Sequence, residues 1–167
     1  MKKILILTLS LMFSLSFSQG KLYINNYSVY DLTMRLAANS PTGCNPSAIA
    51  SLTYPASTQD SIVNFNSSLP YIDQWSVRLS PTGNALTQPV PSGLLTTISP
   101  LTRWSFAWFQ TRYAGTSNQT PDLDFQMGDP SAFPTCGISG STFVDGSLSD
   151  AFWFYIPSEN ATYLVVQ

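Results

Sequence analysis

The chain carries nine carboxylates, two cysteines and no histidine, and that inventory limits the chemistry available to it. Without an imidazole there is no Ser-His-Asp or Cys-His nucleophile, and the commonest transition-metal ligand is missing. A lysine-activated serine would depend on Lys21, the only lysine beyond the N-terminal leader described below. Paired carboxylates could cleave glycosidic bonds, with Asp122, Asp124, Asp129, Asp145, Asp150 and the sole glutamate, Glu159, as candidates. No spacing selects a pair, so a secreted carboxylate-dependent glycoside hydrolase is a competing reading, and the chain is expected not to be an enzyme.

Calcium is the metal that oxygen ligands would suit. Asp122, Asp124 and Asp129 fall within eight residues and are the calcium candidates. Neither they nor Asp145-Gly-Ser-Leu-Ser-Asp150 follow an EF-hand pattern. Asp129 before Pro130 and Asp145 before Gly146 also read as ordinary turn residues, so no metal and no cofactor are expected. Cys44 and Cys136 are the only cysteines, and an even count in an exported chain predicts one disulfide between them. Two thiolates with no histidine do not complete a zinc site, and Cys-x-x-Cys redox spacing is absent.

Aromatic side chains are the remaining candidates for contact. In Ala151-Phe-Trp-Phe-Tyr-Ile156, placing Phe152, Phe154 and Ile156 in the core leaves Trp153 and Tyr155 on the opposite face. Each of these two has an apolar body and a polar tip, suited to stacking on a sugar or packing on a protein unless a loop of the same chain covers them. Phe109 and Tyr113 form a second, similar pair beside the strand carrying Trp104, Phe106 and Trp108.

Strands must position these groups, because period-two alternation dominates and no sustained helical stripe occurs. Alternation runs through 30–36, 74–79, 103–110 and 123–127, while 151–156 and 163–166 are almost continuously apolar, as in strands covered on both faces. Weaker strands are expected at 22–27, 49–54, 61–65, 94–98 and 141–144. Twelve prolines and nine glycines punctuate them. This pattern predicts an all-β fold, a single-domain antiparallel β-sandwich of jelly-roll or immunoglobulin-like kind with about ten strands. Ser-Pro-Thr-Gly at 40–43 and again at 80–83 reads as the same turn chemistry used twice. The proline-rich run 87–93 is the candidate for a long crossing between sheets.

Residues 1–18 read as a signal peptide: Lys2 and Lys3, an apolar stretch, then Ser16-Phe17-Ser18 before the expected cut. The stretch is too short to span the roughly 30 Å hydrocarbon core, and residues 19–167 form the predicted domain. Losing the leader removes Lys2 and Lys3 and leaves five cations against nine carboxylates, too few and too scattered for nucleic acid or an anionic membrane. The brief leader with its two lysines reads as bacterial. Asn26, Asn66, Asn118 and Asn160 begin Asn-x-Ser/Thr sequons, and Asp60-Ser61-Ile62 resembles a short bacterial O-glycosylation signal.

Charged residues make up 10% of the chain, whereas 44% is apolar and 22 residues are aromatic. A surface of Ser, Thr, Asn and Gln costs less to desolvate than a charged one, and interfaces are depleted in Lys, Glu and Asp. The expectation is an exported, non-enzymatic β-sandwich interaction module, an accessory subunit of a cell-surface or extracellular assembly. Its partner would be a protein or an extracellular polysaccharide, not nucleic acid, and the chain would not span a membrane although it could associate with a cell-envelope complex. A carbohydrate-binding module with an aromatic platform is the main rival.

Overall fold

The computed structural model describes residues 19–167, so the expected signal peptide lies outside the described residues. Eleven strands form two sheets packed as a β-sandwich. The strands are β1 (Lys21–Asn26), β2 (Tyr30–Asn39), β3 (Ser47–Tyr54), β4 (Thr58–Ile62), β5 (Gln74–Arg78), β6 (Leu86–Pro89), β7 (Arg103–Tyr113), β8 (Phe125–Gly128), β9 (Phe143–Asp145), β10 (Asp150–Ile156) and β11 (Ala161–Val166). The five-stranded sheet has the order β4-β1-β11-β10-β9 and the six-stranded sheet β6-β5-β3-β2-β7-β8. All pairings are antiparallel except β1 with β11, which run parallel at the centre of the smaller sheet. No described helix is long and apolar enough to cross a membrane.

Alternation puts one face of each sheet into a shared core. Leu32, Met34 and Leu36 of β2 are buried as their spacing predicts, and so are Trp75 and Val77 of β5. Aromatic rings hold the centre. Phe65, Trp75 and Trp104 meet edge-on or tilted at 4.8–5.9 Å, and Phe109 stacks on Phe125 at 4.8 Å. The indole N–H groups of the two buried tryptophans are satisfied, with Trp75 Nε1 donating to Ser68 Oγ and Trp104 Nε1 to the Gly20 carbonyl.

The long strand β7 departs from simple alternation. Ala37 pairs with Phe106 and Ala38 with Trp104, so Ser105 is an extra residue in the ladder, a β-bulge. Its hydroxyl donates to the Ala37 carbonyl at 3.1 Å or to Asn39 Oδ1 at 2.6 Å. One inserted residue reverses the parity of everything beyond it. Trp104 therefore faces the core together with Ala107, Phe109 and Thr111, while Phe106 and Trp108 turn outward, against the expectation of one shared face for the three aromatics.

Two further expectations are corrected. The segment expected as a strand at 94–98 is a short helix, α1 (Gly93–Ile98), because Ser92 caps it by accepting from the Leu95 N–H and a helical turn buries Leu95 and Ile98 together. The proline-rich run 87–93 contributes Pro89 to the end of edge strand β6 and leads through α1 to β7 in the same sheet, so it does not cross between sheets. Both Ser-Pro-Thr-Gly copies join antiparallel neighbours, β2 to β3 and β5 to β6. In the second copy the Gly83 N–H donates to the Ser80 carbonyl, and in the first Gly43 takes the left-handed φ of 87° that favours glycine. Cys44 and Cys136 form the predicted disulfide, tying the β2–β3 loop to the segment that carries the chain from β8 into the smaller sheet.

Candidate functional site

The sequence placed Trp153 and Tyr155 outward on β10, but the strand has the opposite parity. Ala151 and Trp153 face the core, where they pair with Val166 and Leu164, and Trp153 is only 2% exposed. Phe152, Phe154 and Ile156 take the outer face instead. A run that is apolar on both sides gives period two nothing to choose between, and the choice falls to the buried partners on β11. Trp153 is thus a core residue rather than a contact residue. Tyr155 is half-buried at the mouth between the sheets, with the Arg103 guanidinium 4.2 Å from its ring centroid and its hydroxyl bonded to Asn160 Oδ1. Phe109 is fully buried against Phe125, a direct consequence of the Ser105 bulge. Of the four aromatic candidates Tyr113 alone stays exposed, edge-on to Tyr30 at the end of β7.

The reversed parity of β10 builds a surface the sequence did not reveal. Tyr23 of β1, Tyr163 of β11 and Phe154 of β10 are cross-strand neighbours on the outer face of the five-stranded sheet. Their rings stack in series, with centroids 4.8 and 5.1 Å apart and planes within 11° and 8°. The next row joins Val165, Phe152 and Phe143 through the same registers, and Phe143 meets Phe152 at 4.9 Å. Phe154 and Phe143 remain 43% and 48% exposed. Cross-strand aromatic pairs are worth roughly 0.2–1 kcal/mol each.

Charge is confined to the rim of this face. Lys21 lies at the start of β1. Glu159 accepts from the Tyr163 hydroxyl at 2.6 Å, and that hydrogen bond, with lesser desolvation, pushes the phenol up to about 12. At the far end Asp145 and Asp150 stand opposite each other on β9 and β10. Partial desolvation, then the hydrogen bond and negative charge of Asp145, hold the Asp150 carboxyl above the usual aspartate range. Ser61, from the short glycosylation-like signal, sits on edge strand β4 beside Tyr23, while the sequon residue Asn26 is buried and donates to the Tyr30 and Pro55 carbonyls.

The calcium candidates are each engaged separately. Asp122 is buried and accepts from the Ser147 and Leu148 N–H groups at 2.6 and 2.8 Å. Asp124 accepts from Trp108 Nε1 at 2.6 Å and from Gln126. Asp129 caps a short 3-10 turn through Ser131. Among the described residues, no group of three acidic or cysteine side chains gathers in a way that could hold a metal ion. Comparison with protein-family models, with curated proteins and with solved structures finds no match to this chain.

Proposed function

We propose that this protein is an exported, non-enzymatic interaction module that docks a protein partner on the outer face of its five-stranded sheet, as an accessory subunit of a cell-surface or extracellular assembly. The observation that carries the reading is the exposed pair Phe143 and Phe154 within an ordered aromatic ladder whose charges lie only at the rim. An apolar centre within a polar rim is the usual anatomy of a protein interface. Contiguous exposed apolar surface on a soluble domain marks such sites. Export is supported by the leader-like N-terminus and by the disulfide, which suits an oxidising compartment.

Ring geometry favours a protein over a sugar at this face. Tyr163 is sandwiched between Tyr23 and Phe154, so both faces of the central ring are covered. A pyranose stacks on an open ring face, whereas aliphatic and aromatic side chains pack well against edges. A photo-crosslinking residue at position 154, used in the native cell envelope, should give a discrete adduct that disappears when Phe143→Ser is added. A crosslinker at Thr53, on the six-stranded sheet, should give none. Absence of any adduct at position 154, with the protein recovered only as a free monomer, would refute the reading.

A further inference from the structure

The outer face of the six-stranded sheet contains a groove of about 340 Å³, at the lower end of the range for small-ligand sites. Its origin lies in the strand register. The ladder between β3 and β5 ends at Ile49 and Ser76, although β3 continues to Tyr54 and β5 extends back to Gln74. The two strands therefore part, and the gap between them is the groove. Both are interior strands of their sheet, so the gap is not an edge to which a peptide strand could be added.

The groove gathers Arg35, Ser51, Asp73, Gln74, Ser76 and Thr87 around the exposed apolar side chain of Ile49, while the neighbouring Ala50 side chain belongs to the core. None of these six polar side chains has a hydrogen-bond or ion-pair partner within the described residues; Arg35 is only poised near the outward-facing Trp108, 5.6 Å from its ring centroid. The three calcium candidates, by contrast, are all occupied. A guanidinium and an amide supply donors, a carboxylate and the amide oxygen supply acceptors, and three hydroxyls serve as either. The single positive and single negative charge cancel, which disfavours phosphates and acidic polymers.

We infer that this groove is a binding site for a neutral saccharide, whose ring carbons lie on Ile49 while its hydroxyls take up the donors and acceptors of Arg35, Asp73 and Gln74. A sugar hydroxyl both donates and accepts, so it needs this mixed set, and an apolar ligand would leave the set unpaired at a cost. The site goes beyond the protein-docking face and stands on different residues, so either can fail without the other.

The test is native affinity electrophoresis of the purified protein against soluble β-glucan, xylan, mannan and galactan, followed by calorimetric titration of the corresponding hexasaccharides. At least one polymer should retard the protein. Asp73→Asn and Gln74→Ala should each weaken that binding tenfold or more, and Ser76→Trp, which fills the groove from an exposed strand position, should abolish it. Phe154→Ser should leave it unchanged. Retardation by none of the four polymers would overturn the inference, as would binding that survives all three groove substitutions or is lost with Phe154→Ser.

Discussion

The two outer faces of the sandwich arise from the same strand alternation and carry opposite chemistry. On the five-stranded sheet the outward positions are Tyr23, Phe143, Phe152, Phe154 and Tyr163, and their rings satisfy one another. On the six-stranded sheet the outward positions around the groove are Arg35, Ser51, Gln74, Ser76 and Thr87, whose side chains make no hydrogen bond to other described residues, Arg35 lying over the Trp108 ring. The first face offers area without directional demands. The second offers directional bonds with little apolar area. Continuous pairing in β1, β11 and β10 keeps the first face closed, whereas the early end of the β3–β5 ladder opens the second. Register thus decides whether a face is a platform or a groove.

The strongest way to break this contrast is to remove what both faces share. Trp153→Ala should cost about 3–5 kcal/mol by leaving a large cavity behind β10. Urea denaturation would measure that loss, and both binding activities should fall together. The neighbouring Phe154→Ala should cost roughly 1 kcal/mol or less; an equal cost for the two would mean that the strand parity is wrong. Cys44→Ser opens a bridge across 92 residues and should lower stability by roughly 2–5 kcal/mol, read as a shifted denaturation midpoint.

Separate substitutions should sharpen the contrast. Phe143→Ser should reduce partner crosslinking from position 154 by at least about tenfold, the effect of losing roughly 1.4 kcal/mol of contact, while saccharide retardation is unchanged. Arg35→Ala should do the reverse. The smallest effect concerns the rim pair. Because the Asp150 carboxyl is held above its ordinary value, the folded chain binds that proton more tightly than the unfolded one. Stability is therefore lost as pH rises from the ordinary aspartate range through the raised value. Asp150→Asn should raise the melting temperature slightly at pH 7 and not at pH 3, as followed by thermal denaturation.

Much of the architecture could be read from spacing. Half-polar strands such as β2 and β5 have one answer to which face is buried, and they bury it. The disulfide followed from a count of two. The candidate contact residues were less legible, for two identifiable reasons. Ser105 adds one residue to β7 and turns Phe109 inward and Trp108 outward, and nothing in the local pattern marks a serine as a bulge. In β10 every position from Ala151 to Ile156 is apolar, so parity had to come from Leu164 and Val166 across the sheet. The groove was invisible for a related reason: its polar residues come from four strands and from Asp73 just before β5, and look individually like ordinary exposed positions.

The sequence by itself determined that the chain is strand-built, poor in charge, bridged once by sulfur and without histidine-dependent chemistry, since composition and period two act within a few residues. Tertiary structure alone decided which aromatic rings face solvent and where a ladder opens into a groove. Those outcomes depend on pairing between strands distant in the chain, and a shift of one residue there moves every side chain to the other face.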